Sequence, residues 1–246
     1  MAAHLESPIT CIAHRGGPRT GILQENSLEA IKASLAIGVD AIEIDVWQVH
    51  GQVLVTHDRR LGRLLPGSGR LLEHSPVELK HKAQEAGFHM PTLEEVLDLV
   101  QDRALLNIEL KGPHSAEAVS HLLAKTAKER HWGLDHYLVS SFDHQQLLTM
   151  KQHLPRVKRG VLIEGIPLDY AACCTPLEAF CLIPNINFIS QSLIDDAHMR
   201  GCECWVYTVN EIDDMLHLGA MGVDGIFTDF PERLLALNTE TRTLTA

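Results

Sequence analysis

Glu43 and Asp45 stand two residues apart in the run Ala41-Ile42-Glu43-Ile44-Asp45-Val46. An extended chain turns both carboxylates to one face. Two carboxylates in an otherwise apolar strand repel each other and lose hydration, a cost that a bound cation offsets. Oxygen ligands suit a hard ion, Mg²⁺ first, with Mn²⁺ or Ca²⁺ as alternatives, rather than zinc. A water-facing strand side would accept the same pair without metal, but a parallel sheet covered on both faces has no such side.

Glu109 and Lys111 repeat the two-apart spacing at the end of Leu105-Leu106-Asn107-Ile108-Glu109-Leu110-Lys111. A salt bridge fits this pair, and so do a metal ligand and a phosphate contact facing one cavity. His14-Arg15 closes another apolar run, and a guanidinium beside an imidazole disfavours its protonation. That is poor structural chemistry but good for gripping a phosphate while moving a proton. Val53-Leu54-Val55-Thr56-His57-Asp58 delivers a further polar pair. If Val49 pairs with Val53, Asp45 faces His57 across the ladder, whereas a one-residue slip turns His57 to the other face. Among fifteen histidines, position selects His14 and His57. Together these residues suit phosphoryl chemistry: a cation, Arg15 and Lys111 for charge, His14 and His57 as general acid and base.

Strands that would position these groups are expected at residues 9–13, 40–46, 53–56, 104–110, 136–140, 157–163, 185–190, 204–208 and 223–228. Helices are expected at 27–37, 92–100, 115–130, 145–153, 193–200 and 211–218, with a less regular stretch after 163. Asn26 is the expected cap of the first helix, Glu29 its capping-box partner and Gly38 its stop. Alternating strands and helices mean parallel strands covered by helices, in an open doubly wound sheet or a closed barrel. No Gly-x-Gly-x-x-Gly follows the first strand, and polar residues gather at the C-terminal ends of many strands, which favours the barrel. Nine strands exceed the eight of a regular barrel. The six residues between the second and third (47–52) are too few for a helical crossover, so His50-Gly51 should form a tight hairpin turn.

The 246 residues contain no linker-like tract, which predicts one domain over 1–246. With 21 basic and 32 acidic residues, the net charge of −11 disfavours nucleic acid and anionic membranes as partners. Positive charge for an anionic small-molecule substrate must then be local. No signal-peptide pattern, no apolar stretch of membrane-spanning length and six cysteines without a Cys-x-x-Cys pair point to a cytoplasmic protein with reduced thiols and no membrane anchor.

Ile12-Ala13-His14-Arg15-Gly16, Glu25-Asn26-Ser27, Glu43-x-Asp45-Val46, His57-Asp58, Pro91-Thr92-Leu93-Glu94-Glu95, Ile108-Glu109-Leu110-Lys111, Ser140-Ser141-Phe142, Tyr207-Thr208-Val209-Asn210 and Gly222-Val223-Asp224-Gly225-Ile226-Phe227-Thr228-Asp229 follow one another in this order. The series resembles the glycerophosphodiester phosphodiesterases over residues 9–235. The resemblance implies an α/β fold, a distorted (β/α)8 TIM barrel with a capping insertion at residues 59–90. It implies hydrolysis of glycerophosphodiesters to sn-glycerol 3-phosphate and an alcohol. It assigns one divalent cation to Glu43, Asp45 and Glu109, acid–base roles to His14 and His57, and the phosphate to Arg15 and Lys111. Trp205 resembles the aromatic that packs by the glycerol, with ordinary barrel packing as the alternative. Ser27 replaces the family's usual Thr, and the loop 18–24 is longer than the common form. A lysophospholipase D and a non-catalytic phosphometabolite-binding barrel are the rival readings; the second expects one of the five central residues to be lost, and all are present.

Overall fold

The computed structural model describes residues 4–17 and 23–245. Within them run nine strands: β1 (Thr10–Ala13), β2 (Ala41–Val49), β3 (Gln52–Val55), β4 (Leu105–Leu110), β5 (Tyr137–Ser141), β6 (Lys158–Ile163), β7 (Cys181–Pro184), β8 (Glu203–Val206) and β9 (Gly225–Thr228). All except β3 are parallel and close into an eight-stranded barrel, because β1 pairs with both β9 and β2, Ile12 lying opposite Phe227 on one side and Ala41 on the other. The helices between them are α1 (Leu28–Ile37), α2 (Pro76–Glu85), α3 (Leu93–Val100), α4 (Ser115–Arg130), α5 (His144–His153), the single turn α6 (Cys174–Leu177), α7 (Gln191–Met199), α8 (Ile212–Ala220) and α9 (Pro231–Thr245). The architecture is a (β/α)8 barrel.

The ninth strand has a simple origin. β2 is nine residues long; its first part pairs with β4 as far as Val46–Leu110, and its last four residues pair antiparallel with β3. Positive φ at both His50 (45°) and Gly51 (89°) gives the two-residue turn that such a hairpin needs.

Alternation along the strands separates two interiors. Ile42, Ile44 and Val46 face outward into the large core beneath the helices, while Ile12, Ala41, Leu138, Ile183, Trp205 and Phe227 fill the barrel itself. Asn238 of α9 ties that helix to the chain just ahead of β1. Its Oδ1 accepts from the Ile9 N–H at 2.9 Å and its Nδ2 donates to the Ile9 carbonyl at 2.7 Å. Residues 59–90 carry a third, small core in which Leu61, Leu65, Leu71, Leu79, Ala83 and Met90 pack on Trp47 and Leu54 of the hairpin. No described helix is long and apolar enough to cross a membrane, and all six cysteines are free.

Four local expectations change. The hairpin register pairs Val53 with Gln48, not Val49. Strand β7 is Cys181–Pro184 rather than 185–190, because the apolar run precedes Asn185, whose side chain instead caps a 3-10 turn by accepting from Asn187 N. Ser27, not Asn26, caps α1: its side chain accepts from Ala30 N at 3.1 Å, and Asn26 sits at φ 57° with its amide directed elsewhere. Helices α2 and α9 escaped the sequence reading, although Ser75 with Glu78 and Pro76 forms a complete capping box at the start of α2. Of the loop 18–24, residues 18–22 lie outside the described residues.

Candidate active site

Parallel strands present their C-terminal ends together, so side chains at the ends of β1, β2 and β4 converge at one mouth of the barrel. Asp45 lies opposite Glu109 in the β2–β4 ladder, and Glu43 opposite Asn107 one step deeper. Glu43 and Asp45 are 2% and 1% exposed, burial that normally excludes carboxylates. Oxygens of Glu43, Asp45 and Glu109 all lie within 4.8 Å of one another. This acidic cluster could hold a divalent metal. Three further observations fit that reading: the buried oxygens Glu43 Oε1, Asn107 Oδ1 and Ser140 Oγ have no hydrogen-bond partner among the described residues. Such atoms lack compensation for lost hydration.

The electrostatics agree. Burial, then the Asp45 and Glu109 carboxylates, push Glu43 well above the usual carboxylate range. Burial and Asp45 likewise raise Glu109 to about 7. Asp45 goes the other way: burial raises it, but Lys111, His57 and Arg15 together with the Asn26 hydrogen bond outweigh burial. Lys111 Nζ lies 2.7 Å from Glu109 Oε1 and 3.5 Å from Asp45 Oδ1, and those anions hold its ammonium above the ordinary lysine value despite burial.

Arg15 is positioned from both ends. Its backbone N–H donates to Glu43 Oε2 at 2.7 Å, and its guanidinium reaches Glu25 at 3.1 Å and Asp45 at 3.7 Å. The turn that places it depends on Gly17, where a Cβ would come within 2.5 Å of the Ala30 carbonyl of α1. Gly112 permits an equally close approach after Lys111, since a Cβ there would meet the Trp47 ring at 2.5 Å.

Each histidine is held by an aspartate. His14 Nδ1 lies 2.8 Å from Asp229 Oδ1, and Asp229 is fixed by Asn210, which donates to Oδ2 at 3.0 Å and accepts from the Asp229 N–H at 2.9 Å. His57 Nδ1 lies 2.9 Å from Asp58 Oδ1, and Arg63 grips both Asp58 oxygens at 2.7 and 2.9 Å. Both histidines line the cavity, and their Nε2 atoms have no hydrogen bond among the described residues. Burial keeps His57 below the ordinary histidine pKa, despite Asp45 and Asp58.

His14, Arg15, Asp45, His57, Glu109 and Lys111 line one cavity of about 450 Å³, with Phe142, Glu164, Asn185, Tyr207 and Thr208 on its far wall. The observed register would have turned His57 outward, beside Ile44, had β3 continued. The strand stops at Val55 and Thr56 N–H makes the last bond, to Asp45 O, so His57 leaves the ladder and enters the cavity. Trp205 does not reach it. The indole is 2% exposed in the barrel interior, donates to Glu203 at 2.7 Å and meets Phe180 and Phe227 edge-on. Two residues on, just past the end of β8, stands Tyr207, the aromatic at the mouth. Sequence reasoning passed over Asn26, Asn210, Asp229 and Arg63 as positioning groups. Asp229 and Asn210 stood within recognised motifs, but the contacts joining them to His14 span the whole chain.

The family model for the "Glycerophosphoryl diester phosphodiesterase family" matches residues 14–233. A glycerophosphodiester phosphodiesterase of Caldanaerobacter subterraneus subsp. tengcongensis is 33% identical, over 92% of this chain and 96% of that protein. Among solved structures, an Oleispira antarctica phosphodiesterase in complex with the product sn-glycerol-3-phosphate is 27% identical with a TM-score of 0.79, covering 92% of this chain and 95% of that one. A protein from Silicibacter pomeroyi shares the fold, with a TM-score of 0.81 at 24% identity over 95% of this chain and 94% of that one.

Proposed function

The chain belongs to the glycerophosphoryl diester phosphodiesterase family, and we propose that it hydrolyses glycerophosphodiesters to sn-glycerol 3-phosphate and an alcohol by acid–base catalysis with a histidine pair. The observation that carries this is a single cavity joining the buried acidic cluster, two cations and two aspartate-held histidines. Glu43, Asp45 and Glu109 would hold one divalent ion, Mg²⁺ in first place with Mn²⁺ or Ca²⁺ as alternatives, and the ion would supply charge neutralisation at the phosphoryl oxygens.

Arg15 and Lys111 bind the remaining phosphoryl oxygens, each restrained by carboxylates so that little freedom is lost on binding. The aspartates hold the Nδ1–H tautomer of His14 and His57 and direct Nε2 at the substrate. One imidazole accepts the proton of the attacking oxygen, either water or the substrate's own 2-hydroxyl (in which case water then opens the cyclic phosphate), while the other donates a proton to the departing alkoxide. The chain acts as one barrel domain, with residues 59–90 covering the His57 side of the cavity through Arg63.

The test is glycerol 3-phosphate release from glycerophosphocholine after chelator treatment, with and without added Mg²⁺, Mn²⁺ or Ca²⁺. Release restored by a divalent ion is expected. Full turnover in chelator removes the cation from the reading, and no release with any ion removes the reaction.

A further inference from the structure

The far wall of the cavity differs in kind from the phosphate side. Phe142 at the end of β5 and Tyr207 beyond β8 stand with ring centroids 5.9 Å apart and planes 82° apart, a corner with aromatic faces. Lys111 Nζ lies 5.8 Å from the Phe142 centroid, so one edge of this corner adjoins the phosphate contact. On the opposite side an outer hollow of about 510 Å³ shares Phe142 and Glu164 with the cavity and continues along Ile166 and Pro167. Glu164 sits at this junction. It makes no hydrogen bond or ion pair among the described residues, in contrast to Asp45 and Glu109, which are matched by Lys111. His144, the other polar side chain of the hollow, commits Nε2 to the Leu162 carbonyl at 3.0 Å.

From phosphate outward, the order is therefore cation, aromatic corner, unmatched carboxylate, apolar wall. We propose that this wall is the subsite for a quaternary-ammonium leaving alcohol of the choline type. The inference rests on the diesterase reading above and specifies its leaving group. A trimethylammonium group has no hydrogen-bond donors, is drawn to aromatic faces and packs its methyls on apolar surface. Its charge, carried two carbons from the ester oxygen, offers a counter-ion to Glu164, which lines the same cavity as Lys111. An anionic head group meets repulsion from the same carboxylate, and an uncharged one gains neither term.

The experiment compares kcat/KM for glycerophosphocholine with that for glycerophosphoglycerol in the Mg²⁺-supplied 246-residue protein. The ratio should favour the choline ester and fall roughly three- to tenfold in Glu164→Gln and in Phe142→Leu, with the change in KM. Glu164→Lys should lower it further. A ratio unmoved by all three variants overturns the subsite and leaves the diesterase reading standing. Calorimetric titration with phosphocholine and with ethyl phosphate decides the subsite even if no diester is cleaved, since the two share the phosphate ester and differ in the ammonium. Tighter binding of phosphocholine, lost in Glu164→Gln, is expected; equal affinities overturn the proposal.

Discussion

Asn26 clasps Asp45 at two points: Nδ2 donates to Asp45 Oδ2 at 2.8 Å, and Oδ1 accepts from the Asp45 backbone N–H at 3.1 Å. The left-handed backbone of Asn26, just ahead of α1, directs its amide into the barrel mouth instead of toward the helix. Asn26→Ala should cost about 1–3 kcal/mol of stability by orphaning buried groups. It should also weaken the half-saturating Mg²⁺ concentration about ten- to a hundredfold, as loss of a ligand's support does. Urea denaturation and Mg²⁺ titration of activity check the two effects separately.

His14→Ala and His57→Ala should each lower kcat by roughly 10²- to 10⁴-fold while the melting temperature stays near that of the parent. Asp229→Asn and Asp58→Asn keep the shape but remove the charge that holds Nδ1–H, so each should lower kcat less than loss of its histidine. Steady-state kinetics on all four variants decides it, and a near-parental rate for either alanine variant removes that residue from the mechanism.

The protonation of Glu109 links metal binding to pH. Its carboxyl is raised from 4.5 to about 7, first by burial and then by Asp45. A raised folded pKa stabilises the fold fully below the unfolded value and progressively less as pH rises through the folded one. The Glu109 contribution in metal-free protein is therefore present below pH 4.5 and lost toward pH 7 and above. A divalent ion takes the proton's place, so the rise in melting temperature on adding Mg²⁺ should grow across the same window. The wild-type melting temperature relative to that of Glu109→Gln, measured without metal, should fall from pH 4.5 to 7; a rising difference contradicts the assignment.

Arg63 joins the 59–90 segment to Asp58 and Glu25 from an exposed position. Exposed ion pairs contribute only about 0–1 kcal/mol, so Arg63→Ala should leave stability nearly unchanged. It should lower kcat by about tenfold through a loosened Asp58–His57 pair. A matching fall in stability would show that the network holds the fold rather than the histidine.

Trp205→Phe separates core from site. It removes the bond to Glu203 and should cost about 1 kcal/mol, with KM for glycerophosphocholine unchanged. A raised KM would restore Trp205 to the substrate.

Much of this was legible along the chain. Apolar runs alternating with amphipathic segments specify strands and helices locally, and a period of two puts Glu43 with Asp45 and Glu109 with Lys111 whatever the rest of the fold does. Helix α4 falls at residues 115–130 as its pattern predicts, and the His50-Gly51 turn is encoded in two residues. What depends on distance in sequence was not readable. The hairpin register came out one residue from the expected one, yet His57 still enters the cavity because the ladder ends at Val55, a matter of where pairing stops. Asp229 meets His14 across 215 residues only because β9 lies beside β1 when the barrel closes. Trp205 and Tyr207 share a face in sequence, and only barrel depth separates a core indole from an aromatic at the mouth. Strand periodicity is local and survives in any fold, whereas depth, closure and strand ends are set by packing among elements far apart in the chain.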